Sequence, residues 1–434
     1  ANGVRRKTSK EVLLITGIYS QKEDPRDGDA IHDAAQLLLV EVIARALRKN
    51  GSFALFVSDR NLASEEAVSA LERQGFVRPP ISEDSDRRIL YAVDMHEPLL
   101  LLHNLETTIK EPFASCPEVQ EMMEKNHQRL QLAMTKLYPG NLVLSLSSSV
   151  MHHRLVDRIT ALNEVPSEPT VPRRLGVNMC VPFGKILRGK VVPNTVTKTL
   201  HTDKVYEPDL DSYSIEPFPY YSPLKSQIAT IRSFDRPVIL VDDLVHKADR
   251  LQALAPSLRE AGIPIKKVVV GIISGYGRDL MQQFKLPVEG IYGMPNLRQW
   301  FVESTLYPFI GGDTVRRPEM KVAGLQPSIN MILPYATPML EGSSREALFE
   351  FSACCIENAR DLLRILEAEY RKQFSKNLTL SRLPEAVILP LCPDKGSCMN
   401  YDENLAASEY LEADLETLWR MREFMTGKRS PDRI

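Results

Sequence analysis

The chain has 434 residues, 43% of them apolar and 25% charged, with a formal net charge of −2. That is enough apolar material for several packed cores and fits a length of two to four domains. The near-neutral balance excludes a general affinity for nucleic acid or an anionic membrane, and no apolar run approaches the ~18 residues of a bilayer span.

Six cysteines (Cys116, Cys180, Cys354, Cys355, Cys392, Cys398) are too sparse for a disulfide framework, so a reducing, cytoplasmic setting is expected. The chain opens on Ala1 rather than Met and soon enters an apolar run, Val12-Leu13-Leu14-Ile15. An upstream segment of a longer protein is therefore expected.

Residues 1–80 alternate strand and helix signals. A strand is predicted over 12–18, then a polar loop, then a helix from Asp29 to Lys49 that buries Leu38, Val42, Ile43, Ala46 and Leu47. A strand at 53–57 and a short helix capped by Ser64 and closed by Gly75 follow. This order, with Asn61 after the second strand and the ending Ala70-Leu71-Glu72-Arg73-Gln74-Gly75-Phe76, resembles the second half of the Gcn5-related acetyltransferase fold. The resemblance implies a coenzyme A pyrophosphate held by backbone N–H groups in the loop before the helix. Pro25-Arg26-Asp27-Gly28-Asp29-Ala30 offers one glycine and two aspartates there, so an inactive remnant is the preferred reading.

Residues 81–139 are expected to form a linker and a helical segment. Arg78-Pro79-Pro80 and Ser82-Glu83-Asp84-Ser85-Asp86 mark the boundary, a helix–strand unit runs to Glu111, and a helix covers 116–137. A third domain is expected over 140–340, with strands at 142–146, 176–182, 238–242, 267–273 and 290–292. Helices lie between them, Pro256 breaks one, and residues 190–225 form a long irregular stretch. Strands alternating with helices predict an α/β fold with a doubly wound parallel sheet. The remainder, 341–434, reads as helical, with helices over 344–374 and 404–425.

The chemistry concentrates at Val238-Ile239-Leu240-Val241-Asp242-Asp243, an apolar strand ending in two carboxylates. Carboxylates there face the crevice at the C-terminal edge of a parallel sheet. The motif resembles the phosphoribosyl pyrophosphate signature of type I phosphoribosyltransferases. That resemblance implies that Asp242 and Asp243 bind ribose hydroxyls, directly or through Mg²⁺, and that the next loop cradles a phosphate. It also implies that the irregular stretch is an active-site loop, whose Lys198, His201 and Lys204 reach a pyrophosphate. The family expects roughly Thr-Thr-Gly-x-Thr after two spacer residues; this chain has His246-Lys247-Ala248-Asp249-Arg250. His246, Lys247 and Arg250 replace hydroxyls by charge, and Ala248 carries a Cβ where close backbone approach is wanted.

Two further segments are candidates for substrate contact. Ser274-Gly275-Tyr276-Gly277-Arg278 is a glycine-rich turn after a strand, where Ser274 and Gly275 meet a ligand and Arg278 a phosphate, or else a plain turn into a helix. Tyr307-Pro308-Phe309-Ile310-Gly311-Gly312-Asp313 reads as a hood over a base, with Tyr307 and the acceptor Asp313, or as a domain-joining loop. Adjacent His152 and His153 diverge on a helix, and Cys392 with Cys398 lacks a second pair at zinc spacing, so Mg²⁺ at Asp242 and Asp243 is the one metal expected. Ser147-Ser148-Ser149 lacks nucleophile-elbow glycines.

The same hood segment and Asn178-Met179-Cys180-Val181-Pro182-Phe183-Gly184-Lys185 resemble bacterial cytidylyltransferase-related proteins over most of the chain. That label derives from an N-terminal nucleotidyltransferase domain with a His-x-Gly-His signature, which this chain lacks; the resemblance implies such a domain upstream. The leading function is a phosphoribosyltransferase-like module binding a phosphorylated sugar or nucleotide, with glycosyl transfer as its reaction. The alternatives are an inactive scaffold or ligand sensor, whose C-terminal helices form a homo-oligomer or dock a partner, and an acetyltransferase.

Overall fold

The computed structural model describes residues 12–16, 28–49, 51–59, 65–79, 88–172, 174–317, 322, 324–396 and 401–426. The loop at 21–27, Asn61, Ser64, the boundary at 82–86 and Cys398 lie outside the described residues. In chain order the elements are β1 (Val12–Ile15), α1 (Gly28–Arg48), β2 (Phe53–Asp59), α2 (Glu65–Arg73), β3 (Arg88–His103), α3 (Pro117–Leu137), β4 (Asn141–Ser147) and α4 (Ser148–Leu162). Next come β5 (Met179–Pro182), β6 (Val196–Thr197), β7 (Thr202–Tyr206), β8 (Tyr213–Pro217), α5 (Leu224–Arg232), β9 (Val238–Val245), α6 (Asp249–Glu260), β10 (Ile265–Ser274) and α7 (Gly275–Gln283). The chain finishes with β11 (Val288–Met294), β12 (Gln299–Val302), β13 (Asp313–Val315), β14 (Gln326–Ile329), α8 (Arg345–Phe374), α9 (Leu383–Ala386), β15 (Leu391–Pro393) and α10 (Ala407–Thr426). The fold is α/β, and no helix among the described residues is long and apolar enough to cross a membrane.

Two compact units share the chain, and neither is contiguous. The first takes 1–100, 139–201 and 225–300; the second takes 101–138, 202–224 and 301–434. These units cut across the four sequential segments that the sequence suggests. One reason is that α1 packs on β11, with Arg48 donating to the Ile291 carbonyl and the Tyr292 hydroxyl meeting Glu41 at 3.1 Å. The N-terminal segment thus shares a core with the parallel sheet instead of standing apart.

In the first unit β9 opens with four buried apolar residues, Val238 to Val241, and β10 is buried from Val268 onward, the pattern of strands covered on both faces. They pair in parallel, as do β10 with β11, β5 with β9 and β5 with β6. The order β11-β10-β9-β5-β6 is, by appearance in the chain, 2-1-3-4-5. A second five-stranded sheet has the order β1-β2-β3-β12, with β4 also pairing with β3; β1 is parallel to β2 and β2 antiparallel to β3. Residues 88–103, expected to fall within a helix–strand unit, form one 16-residue strand. Its burial alternates at first and then becomes continuous over Leu99-Leu100-Leu101-Leu102, a change of period that a short window mistakes for two elements. Helix α6 continues through Pro256, which forfeits one backbone bond without ending it.

The second unit holds a mixed sheet, β15-β14-β13-β7-β8, and the helices α3, α8 and α10, with both α3 and α10 packed on α8. The stretch 190–225 therefore does not remain an irregular loop: its middle is the antiparallel hairpin β7–β8. In β7 Thr202 and Val205 are buried, and Asp203, Lys204 and Tyr206 are half-buried. Helix α8 starts where Ser344 accepts the Ala347 N–H at 3.1 Å, an N-cap that satisfies one orphan donor.

Candidate functional site

In a 2-1-3-4-5 sheet the strand order reverses between the first and third strands, and ligands settle outside the carboxyl ends there. Here those strands are β5 and β9. They run side by side as far as Pro182 against Val241, and the Phe183 N–H reaches the Val241 carbonyl at 3.0 Å. The next two residues of β9 are Asp242 and Asp243.

Asp242 and Asp243 are the fifth and sixth residues of β9, and their carboxyls interact directly. Asp242 is 4% exposed and forms a short ion pair with Arg250 in the first turn of α6. Burial pushes its carboxyl up to about 8, against the pull of Arg250 and with the push of Asp243. Asp243 also acts on His152 of α4, as does Lys190; burial holds that imidazole below its ordinary range.

The loop from β9 to α6 keeps a special backbone. Ala248 has φ 56° and ψ 25°, the left-handed conformation that glycine adopts most easily. The Ala248 side chain provides no cap for α6. Lys247 is exposed. Burial and then Lys247 lower the pKa of His246 below its ordinary value. Its Nδ1 lies 2.8 Å from Ser274 Oγ, and its ring sits 5.5 Å from Tyr276 and 5.3 Å from Trp300.

Ser274 and Gly275 have structural duties. Ser274 is 1% exposed and caps α7 by accepting the Gly277 N–H at 2.9 Å. A Cβ on Gly275 would stand 2.4 Å from the Pro295 carbonyl oxygen, and one on Gly277 2.2 Å from that of Val245. These glycines let a helix start close against the sheet, and the turn reading of this segment holds. Arg278 is exposed beside Gly293.

Lys198 follows β6 directly, its N–H bonded to the Cys180 carbonyl of β5 at 3.0 Å. Lys198 and Arg188 both depress the His201 pKa, after burial. Arg188 lies with Lys185 and Lys190 on the β5–β6 connection, and sequence reading passed over all three; a Gly-Lys…Arg-Gly-Lys run directly after an apolar strand was the available signal. Lys204, Tyr307 and Asp313 belong to the second unit. Lys204 lies over the Tyr213 ring at 3.7 Å, and Asp313 opens β13. Tyr307 is fully buried and donates to Glu303 at 3.0 Å, so it forms no hood over a base. Also unforeseen is the polar cluster of the second unit to which Tyr307 belongs.

A shallow cleft of about 280 Å³ between β1 and α1, lined by Val12, Leu13, Val42, Arg45, Ala46, Lys49 and Gly51, contains none of the loop after β9. The chemistry therefore points to the sheet edge and not to that cleft. No protein-family model matches this chain, and no curated protein matches it.

Proposed function

We propose that the first unit binds a phosphorylated sugar or nucleotide at the carboxyl edge of its parallel sheet, in the manner of a type I phosphoribosyltransferase-like domain. The observation that carries this reading is the left-handed loop at Ala248, following Asp242 and Asp243 at the strand-order reversal. An L-residue there costs about 1–2 kcal/mol, and retaining that conformation without a glycine is consistent with a demand for the loop's shape. Such a loop aims consecutive N–H groups outward, which suits a phosphate. Lys247, and Arg250 once drawn from Asp242, add charge to it. Asp242 would then accept a ribose hydroxyl, while Arg188, Lys190 and Lys198 on the β5–β6 side meet a second phosphate group.

A thermal-shift screen with Mg²⁺ tests the proposal, using phosphoribosyl pyrophosphate, ribose phosphates, nucleoside mono-, di- and triphosphates and coenzyme A. Ligand at a hundred times its dissociation constant stabilises by about 2.7 kcal/mol. The expected result is a shift with a phosphorylated ribose that disappears in Asp242→Asn/Asp243→Asn. A shift that survives the double substitution overturns the assignment of the site. The Arg250–Asp242 pair favours a second reading, an inherited shape whose site is filled by its own ion pair; no shift with any ligand would support it.

A further inference from the structure

Glu303 is a fully buried carboxylate in the second unit, and among the described residues no lysine or arginine pairs with it. Two imidazoles face it instead. His127 Nδ1, from the middle of α3, lies 3.2 Å from Glu303 Oε2, and His103 Nε2, from the end of β3, lies 3.6 Å from the same oxygen. The rings meet edge to face with centroids 4.1 Å apart, and the three donor atoms all lie within 4.8 Å of one another. His103 Nε2 is buried and has no hydrogen-bond partner. A buried polar atom left so in the middle of a cluster calls for an explanation.

Metal geometry supplies one. Zinc bonds of about 2.0–2.2 Å in a tetrahedral site put neighbouring donors about 3.4 Å apart. The separations of 3.2 and 3.6 Å bracket that edge. Further out, the arrangement orients the carboxylate. Glu303 Oε1 accepts the Tyr307 hydroxyl at 3.0 Å, which in turn accepts Asn358 Nδ2 at 2.9 Å. Asn358 and Asn126 exchange side-chain-to-carbonyl bonds, each 2.8 Å. Beside the cluster, Asn104 donates to Ser304 Oγ at 2.9 Å and accepts the Ser304 N–H at 3.0 Å, which fixes the backbone next to His103 and to Glu303. Such outer partners are what hold a ligand set in place.

We infer that His103, His127 and Glu303 bind one divalent transition-metal ion, zinc by preference, and that the ion ties β3, α3 and the turn after β12 together. Two nitrogens and one oxygen select this class over Mg²⁺ or Ca²⁺, which take oxygen ligands. Three protein ligands leave the fourth position on the His103 side, the most exposed of the three at 21%. Water is the expected occupant of that position.

The test is to strip the whole chain with chelator and titrate it with Co²⁺ and, separately, Zn²⁺. Expected are one equivalent bound, the visible absorption bands of four-coordinate Co²⁺, and a rise in midpoint temperature with Zn²⁺. His103→Ala, at the partly exposed edge, and His127→Ala remove the bands, with circular dichroism confirming that each variant folds. Tyr307→Phe leaves the three ligands and weakens binding roughly 10- to 100-fold by removing one outer hydrogen bond. Failure of the stripped protein to bind Co²⁺ overturns the inference and leaves an imidazole–carboxylate pair. Metal retained equally by the wild type and by His127→Ala also overturns it, since the ion then sits elsewhere, as on cysteines.

Discussion

Asp242 and Glu303 are both buried carboxylates, one in each unit, and their surroundings drive them in opposite directions. Burial alone raises both. Asp242 has one cation, Arg250, and a second carboxylate next to it, and burial prevails, so its carboxyl rises to about 8. Glu303 is buried more completely, yet His127, His103 and the Tyr307 hydroxyl more than offset that, and its pKa falls below the usual carboxylate range. The comparison teaches that depth does not set the sign of a shift; the number and charge of the groups within reach do. It also separates two kinds of site: one in which the buried acid is in contact with Arg250, the other a set of ligand atoms around a shared point.

The largest expected effect is at Glu303. Glu303→Ala leaves the Tyr307 hydroxyl without its acceptor and two buried imidazoles facing a cavity, and should cost about 3–5 kcal/mol in urea unfolding. A loss under about 1 kcal/mol would mean that the cluster contributes nothing specific. Next come the pH profiles, which should slope in opposite senses. Asp242 holds its proton more tightly folded than unfolded, so its contribution is full below its ordinary 3.8 and is lost as pH rises toward about 8. Glu303 is the reverse: its contribution is present above its ordinary 4.5 and is lost as pH falls through its lower folded value. Subtracting the Asp242→Asn profile from the wild type should leave a decline of at most about 1.4 kcal/mol per pH unit across the neutral range. Glu303→Gln should flatten only the acid limb; equal effects of the two variants at pH 7 to 8 would erase the distinction.

Tyr307→Phe should cost about 1–2 kcal/mol, because Glu303 loses a donor to its charged form, and should shift the acid limb upward in pH. Ala248→Gly is the smallest effect and has the opposite sign. Glycine removes the strain of the left-handed backbone but adds freedom to the unfolded chain, so a net gain of about 0.5–1 kcal/mol is expected. A destabilised glycine variant would show that the loop shape is not strained at Ala248, and the argument for a phosphate loop would lose its main support.

Much of the first unit was legible in the sequence. Val238 to Val241 and Val268 to Val270 are apolar without alternation, and runs of that kind require cover on both faces. What the sequence concealed was the partner: the buried Asp242 meets Arg250, eight residues on in the next helix. The left-handed turn at Ala248 left no compositional trace, since alanine does not announce it. The histidine cluster was harder still. Its members are scattered over two hundred residues, and each alone reads as an ordinary core or surface group. A trace did exist. His127 falls on the stripe Val119, Met123, Leu130 and Met134 of α3, so an ionisable ring sits where an apolar residue belongs. His103 likewise ends the buried run of β3.

The interleaving of the two units bears on how the protein is made. Strand β7 leaves the ribosome with the early half of the chain, but β13, its parallel partner, begins at Asp313. At 5–20 residues per second, about 100 intervening residues take roughly 5–20 s. Over that interval the β7 edge facing β13 exposes unpaired backbone groups, a surface that invites strand addition from other chains. Glu303 also emerges long after His103 and His127, so any ion they share can be captured only late in synthesis. A nascent chain halted before residue 300 would thus present both an open sheet edge and a half-built ligand set.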